Sequence, residues 1–154
     1  MYRRSMKRAR ILLTFPALVT ALVPLLVDFN PTHQLNAAWP PHARYHGAVL
    51  ISVNVLAGLA ALYLLWSRRG SAEEGFRIRA AALLPAIIWG SFFPALLAPG
   101  TSTFPDGAGR PEGFPLPVAG NVVIAGLIVV LCALGAWWSA RAGRVEANAA
   151  TARA

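Results

Sequence analysis

Four long apolar stretches alternate with short polar segments along the chain. They cover approximately residues 11–27, 46–66, 79–98 and 118–138, and none has an acidic or basic residue in its middle. A helix rises 1.5 Å per residue, so about 20 apolar residues cross a hydrocarbon layer of about 30 Å. Because the stretches show no alternation with a period of two, the pattern predicts an all-α bundle of four transmembrane helices.

The composition agrees with a chain whose exterior is solvated by lipid. Hydrophobic residues make up 56% of the chain and charged residues 13%, with a mean hydropathy of +0.54. A soluble domain carries about 25% charged residues because it must cover its surface. We therefore expect one transmembrane domain over residues 1–154, located in a cell membrane. The excess of Arg over Lys, with abundant Ala, is typical of a bacterial chain.

The positions of the basic residues predict the orientation. Of the 14 Lys and Arg residues, 12 precede the first apolar stretch, separate the second from the third, or follow the fourth. The positive-inside rule then places both termini and loop 67–78 in the cytoplasm, and loops 28–45 and 99–117 at the outer face. Because these residues adjoin apolar stretches, the net charge of +8 indicates topology and contact with anionic lipid, and excludes nucleic-acid binding. The tail 139–154 is expected to be frayed.

Two features of the sequence leave details of this four-helix arrangement open. The first apolar stretch, preceded by five basic residues, also resembles a signal peptide, whose cleavage would leave three helices and the same outer loop. Ala82, Ala86 and Gly90 recur every four residues, which predicts close packing within the bundle or against a partner helix of an oligomer. Pro residues in helices one and three should kink those helices or end them early.

All three histidines of the chain fall in the first outer loop, at positions 33, 42 and 46. Pro40 and Pro41 suit the first positions of a helix, so the second helix is expected to begin there. His42 and His46 then lie four residues apart on one helical face. Two imidazoles at that spacing can share a metal ion, or one can act as a base while the other orients it.

Other residues on the same side could complete a site. One hypothesis is a catalytic group in which His42 and His46 transfer a proton, Arg44 clamps a ligand, and Asp28 or Glu112 orients them. A second is a site for a divalent metal on His33, His42 and His46. The residues expected to line the pocket are Trp39, Asn36, Asn54 and Asn121.

Each of these residues also has a purely structural interpretation. Histidines and Trp39 can simply anchor the chain at the membrane interface. Arg44 can form a structural ion pair with Asp28, Asp106 or Glu112. Asn54 and Asn121 can hydrogen-bond between helices.

The first outer loop contains Thr32-His33, Asn36, and then Trp39-Pro40-Pro41-His42-Ala43-Arg44-Tyr45-His46. This string resembles the signature of an uncharacterised family of small four-helix membrane proteins, whose general plan is similar to that of DoxX-type proteins. The family pattern has an Asn-Pro pair before the Trp, whereas here Asn36 is followed by Ala37. The resemblance implies that the histidine string is a family feature, and it carries over no catalytic role.

The sequence thus leaves three functional hypotheses. The chain is an enzyme or binding protein for a lipophilic small molecule at the outer interface, a histidine-based metal-binding membrane protein, or a non-catalytic membrane subunit. Transport by this chain alone is disfavoured because no charged residue lies in the middle of a predicted span.

Overall fold

The computed structural model of the chain describes residues 2–67, 73–104, 112–113 and 119–152. These residues form an all-α bundle and contain no β-strand. The helices are α1 (Tyr2–Val27), α2 (Pro41–Trp66), α3 (Glu74–Gly90), the short α4 (Phe92–Ala95) and α5 (Gly120–Thr151). Four segments are long and apolar enough to cross a membrane: α1, α2, α3 together with α4, and α5 as far as Glu146. The predicted set of four apolar helices is confirmed.

Three helices, α1, α3 and α5, are longer than the predicted spans at the end of the bundle that carries Tyr2 and Ser67, which we call the terminal face. α1 includes the basic segment before Ile11, because Met6 and Ala9 are buried in the core. α5 continues through the segment expected to be frayed, as far as Thr151. Alanine has the highest helix propensity, so an Ala-rich tail favours continuation of the helix. Ala142 is buried there.

The third span is interrupted at Ser91, between α3 and α4. Pro94 has no N–H to donate to the carbonyl of Gly90, and its ring clashes with that carbonyl. At the break, Ser91 Oγ donates to the Ile88 carbonyl over 2.7 Å. α3 therefore ends at Gly90, four residues before Pro94, whereas α1 continues through Pro16 and Pro24 and α3 continues through Pro85.

α1 packs against α2, α3 and α5, and glycine allows two of these contacts to be close. A Cβ on Gly58 of α2 would lie 2.6 Å from the backbone nitrogen of Ala21 and 2.7 Å from the carbonyl oxygen of Ala17. A Cβ on Gly135 of α5 would lie 2.5 Å from Leu13 Cγ. Because nothing larger than hydrogen fits at Gly58, the backbones of α1 and α2 approach each other there.

Large apolar side chains cover the outside of the bundle. Leu56 on α2 is 66% exposed and Leu26 on α1 is 78% exposed, and similar residues face outward on every long helix. A soluble protein rarely exposes so continuous an apolar surface. The four apolar helices and this surface indicate a multi-pass membrane protein in contact with the lipid bilayer.

Polar contacts join the helices at the terminal face. Arg10 forms an ion pair with Glu74 at 2.8 Å. Arg77 is buried, and its Nη1 donates to the carbonyl and hydroxyl oxygens of Ser67 at 2.7 and 2.9 Å. These contacts hold the end of α2 and the start of α3 against α1 at the terminal face. The loops described next lie at the opposite end of the bundle.

Candidate functional site

A cavity of about 820 Å³ opens at the other end of the bundle, the loop face, which carries residues 28–40 and 96–104. All the long helices contribute to its wall. Its lining includes the polar or charged residues Asp28, Thr32, His33, Asn36, Asn54, Ser91, Ser102, Thr103 and Asn121. The aromatic part of its lining comprises Trp39, Trp89, Phe92 and Phe104. Its size is within the range of about 300 to 1,000 Å³ that is usual for small-molecule sites.

The rim of the cavity is a hydrogen-bonded turn that follows α1. Asn30 Nδ2 donates to the Val27 carbonyl, and Asn30 Oδ1 accepts from the backbone N–H and the hydroxyl of Thr32, at 2.8 and 2.7 Å. Thr32 Oγ1 lies 2.8 Å from His33 Nδ1. Because the threonine proton goes to Asn30, Nδ1 of a neutral His33 must carry the hydrogen of the second bond. Nε2 of His33 is then a lone-pair acceptor.

Asp28 lies beside this turn, one residue after α1 ends, and lines the same cavity. Burial raises the pKa of the Asp28 carboxyl above its ordinary value of 3.8, and the nearby His33 partly opposes the shift. Burial acts in this direction because it disfavours the charged form of a carboxyl group. The rim therefore combines a carboxyl whose pKa is raised with an imidazole whose Nε2 can accept a hydrogen bond.

The deeper wall of the cavity comes from α2, α3 and α4. Asn54 is 6% exposed, and its Nδ2 donates to the Leu50 carbonyl over 2.8 Å, which leaves Oδ1 without a hydrogen bond among the described residues. Trp89 stacks on Phe92, with ring centroids 5.4 Å apart. Trp89 Nε1 donates to Thr20 Oγ1 over 2.8 Å. The deep end is thus aromatic, with one amide oxygen available to a ligand.

Gln34 joins the rim to the start of α2, a role that the sequence analysis missed. Its Nε2 donates to the Arg44 carbonyl over 2.9 Å, and its Oε1 occupies the space that a Cβ on Gly47 would need. Its backbone N–H donates to the Asp28 carbonyl over 2.9 Å. The sequence shows that position 47 is a glycine, which leaves room for a close contact, but it does not identify Gln34 as the residue in contact.

α2 begins at Pro41, where the pair of prolines predicts it to begin. His42 Nε2 and His46 Nε2 lie 3.0 Å apart, and the ring planes are nearly perpendicular. Both side chains are exposed, and neither belongs to the cavity lining. Tyr45 contacts His46 edge to face, with centroids 5.7 Å apart. The histidine pair is thus an exterior feature of the first turns of α2.

The structure therefore divides the residues singled out from the sequence into two groups. The cavity brings together Asp28, His33, Asn36, Trp39, Asn54 and Asn121. The residues outside its lining are His42, His46, Arg44 and Glu112.

Two further expectations concern ion pairs and metals. Arg44 makes no ion pair with Asp28 or Glu112 in the described part of the chain, and Asp106 lies outside the described residues. Across residues 2–67, 73–104, 112–113 and 119–152, no three His, Cys, Asp or Glu side chains are grouped to hold a metal ion. His33 is thus not combined with His42 and His46 in a three-ligand site.

Comparison with curated proteins and with solved structures gives no match. Comparison with protein families matches residues 12–145 to a family of unknown function, DUF6640. The match covers α2, α3 and α4 in full, most of α1 and α5, and both groups of site residues. It agrees with the expectation of an uncharacterised family. The chain is a member of DUF6640, a family of unknown function.

Proposed function

We propose that this protein binds a lipophilic small molecule with a polar end in the loop-face cavity, at the outer membrane interface. The observation that carries the proposal is the content of one cavity: Asp28 and His33 at the rim, and Trp89, Phe92 and Asn54 deeper in the bundle. Mostly apolar walls with a few convergent polar groups are typical of small-molecule sites. The outer location rests on the distribution of basic residues.

The walls favour an amphiphilic ligand over a water-soluble one. Val23, Leu50 and Ile88 line the cavity together with the aromatic rings, so an apolar chain or ring system would lose its contact with water there. Asn54 lines the cavity, and its Oδ1 makes no hydrogen bond among the described residues, which favours a ligand with a hydroxyl or N–H donor. The ligand would enter from the lipid or from the loop face.

The rim favours a ligand with a carbonyl or hydroxyl group at its polar end. A protonated Asp28 can donate a hydrogen bond to a carbonyl oxygen, and the Nε2 lone pair of His33 can accept one from a hydroxyl. The same two groups could move a proton to or from a bound molecule. The proposed function is therefore ligand binding, with Asp28 and His33 as the candidates for any acid–base step.

Photolabelling tests the proposal directly. The full chain, reconstituted in lipid nanodiscs, is labelled with a diazirine-bearing hexadecanol, and the modified residues are mapped by mass spectrometry. We expect labelling of the cavity lining that saturates and is competed by excess hexadecanol. Asn54→Leu, which fills the deep end with an apolar side chain, should reduce this labelling about tenfold or more, the loss expected from about 1.4 kcal/mol of binding.

Ser52→Leu is the matched control, because Ser52 lies on the same helix, is exposed, and bonds only to the Ala48 carbonyl. It should leave labelling of the cavity unchanged. His33→Ala, which removes the Nε2 acceptor at the rim, is a second variant in case Asn54→Leu fails to fold, and it should also reduce the labelling. Labelling that does not saturate and is spread over the lipid-facing residues of all variants would contradict the proposal.

The histidine pair supports a second candidate function, the binding of a divalent transition metal. With metal–nitrogen bonds of about 2.1 Å and bond angles of about 90 to 110°, two coordinating nitrogens lie about 3.0 to 3.4 Å apart. The Nε2 atoms of His42 and His46 lie 3.0 Å apart and share a hydrogen bond, whose proton a metal ion would replace. Water or a further ligand would have to complete the coordination, because the described residues supply only these two.

Isothermal titration of the purified protein with Cu²⁺ tests this second candidate. We expect one site per chain that is abolished by His42→Ala and by His46→Ala. His33→Ala is the control, since His33 lies in the turn that precedes α2 and bonds to Thr32, and it should retain the site. A site lost equally in all three variants would indicate a different coordination, and no site at micromolar Cu²⁺ would eliminate the candidate.

A further inference from the structure

A second cavity, of about 240 Å³, lies at the terminal face between the first turns of α1 and the second half of α5. We call it the terminal cleft. It is lined by Tyr2, Ser5, Arg8, Trp138, Arg141, Ala142 and Val145. The α5 members follow the spacing of one helical face, at intervals of three and four residues. Extension of both helices beyond the predicted spans is what creates this cleft.

The charged residues that line the terminal cleft, Arg8 and Arg141, are both basic, and both are exposed. The guanidinium carbon of Arg141 lies 5.4 Å from the ring centroid of Trp137, which restrains the side chain through a cation–π contact. Of the nearby carboxylates, Glu74 forms its ion pair with Arg10. Glu146 follows Val145 at the border of the cleft and does not line it. The charges that line the terminal cleft are therefore positive, and Glu74 and Glu146 lie close enough to act on the Tyr2 phenol at its edge.

The donor set suits a phosphate group. Two guanidinium groups offer forked N–H donors that match phosphate oxygens, and the hydroxyls of Ser5 and Tyr2 add neutral donors. The remaining wall, with Trp138, Ala142 and Val145, is apolar. A free inorganic anion would gain nothing from that wall, whereas a lipid could place its glycerol and first acyl carbons against it.

The height of the terminal cleft along the bundle also fits a lipid headgroup. It begins at Trp138, where the apolar part of α5 ends and the basic part begins. Tryptophan at such a boundary is typical of the headgroup layer, and basic residues there attract anionic lipid. We infer that the terminal cleft binds the phosphate of an anionic phospholipid, with Arg8 and Arg141 as its ligands.

Native mass spectrometry of the intact, delipidated protein tests this inference with phosphatidylglycerol as the probe and phosphatidylcholine as the zwitterionic comparison. We expect one phosphatidylglycerol to be retained in preference to phosphatidylcholine. Arg8→Gln/Arg141→Gln should weaken that retention by about tenfold more than the control Arg4→Gln/Arg144→Gln. The control removes the same charge from the same two helices, at exposed positions outside the cleft.

Arg8→Lys/Arg141→Lys keeps the charge but removes the forked donors, and should give retention between that of the wild type and that of the glutamine variant. Equal loss in the cleft variant and the control would show diffuse attraction and overturn the inference. No preference for phosphatidylglycerol would also overturn it. Displacement of the lipid by millimolar inorganic phosphate would identify a free-anion site and overturn the assignment to lipid.

Discussion

Trp89 Nε1 donates a hydrogen bond to Thr20 Oγ1 over 2.8 Å, in the buried contact between α3 and α1. Thr20 Oγ1 in turn donates to the Pro16 carbonyl over 2.8 Å. Both side chains are almost completely buried, and Trp89 forms part of the cavity wall. This bond therefore connects the packing of the bundle to the shape of the candidate site.

Thr20→Val should destabilise the protein by about 1–3 kcal/mol, because it leaves a buried indole N–H without an acceptor. Thr14→Val is the matched control, since Thr14 Oγ1 accepts a similar bond from Trp66 at an exposed position, over 3.1 Å. Its loss should cost little, because the Trp66 N–H can bond to water instead. Thermal unfolding in detergent measures both. A loss for Thr14→Val as large as that for Thr20→Val would contradict the role of burial.

Gly58→Ala should destabilise the bundle by about 1–3 kcal/mol, because its Cβ would overlap backbone atoms of Ala17 and Ala21 that cannot move independently. Gly126→Ala on α5 is the control, since its Cβ would meet only Phe93 Cζ at 3.9 Å, an ordinary contact. That variant should be neutral or slightly stabilising. The same unfolding assay checks both, and a neutral Gly58→Ala would mean that α1 and α2 are farther apart than described.

Stability should fall as the pH rises through the titration of Asp28. Its pKa is raised in the folded protein, so the folded state binds the proton more tightly than the unfolded state does. The stability is then highest below the ordinary value of 3.8 and is lost between that value and the higher folded one. Asp28→Asn, which cannot ionise, should flatten this dependence and be more stable than the wild type at pH 7.

The unfolding midpoint measured from pH 3 to pH 8 tests this sign, with Glu112→Gln as the control at an exposed carboxylate. The wild type and Asp28→Asn share the titration of all the other acids, so the difference between them isolates Asp28, and Glu112→Gln shows the effect of removing a carboxylate elsewhere. A wild type that becomes more stable over this window, relative to Asp28→Asn, would contradict the direction of the pKa shift.

The distribution of basic residues predicts that the loop face is extracellular or periplasmic. Cys132 is the chain's only cysteine and is buried, so Cys132→Ala gives a background for single-cysteine labelling. In intact cells or spheroplasts, a membrane-impermeant maleimide should label Ala37→Cys in the exposed first loop and not Asn148→Cys on α5. The opposite pattern would reverse the orientation and move the proposed site to the cytoplasmic side.

The sequence predicted the features that depend on composition and on the period of the hydrophobic pattern. The four apolar helices, the start of α2 at Pro41, and the break near Pro94 follow from hydropathy and from the chemistry of proline. The helical tail was not predicted, because an Ala-rich segment at the terminus of the chain was expected to be frayed. Its burial against α1 depends on a tertiary contact that periodicity does not reveal.

The candidate site was predictable only in part. Six of the residues chosen from polarity and position do line one cavity, but the most conspicuous pair, His42 and His46, lies outside it. Helical spacing places two residues on the same face, but it does not tell which face points inward. Trp89, Thr20 and Gln34 were missed because their roles are contacts across 69 and 10 positions of the chain.

The central claim, an accessible ligand cavity within the bundle, is tested most directly at its deep end. In the Cys132→Ala background, Asn54→Cys should react with N-ethylmaleimide at pH 7.5, and saturating hexadecanol should slow the reaction about tenfold or more, as displacement by a bound ligand requires. Ser52→Cys on the lipid-facing side serves as the control, and hexadecanol should not change its rate. An unreactive Asn54→Cys, or one that hexadecanol does not protect, would contradict the account.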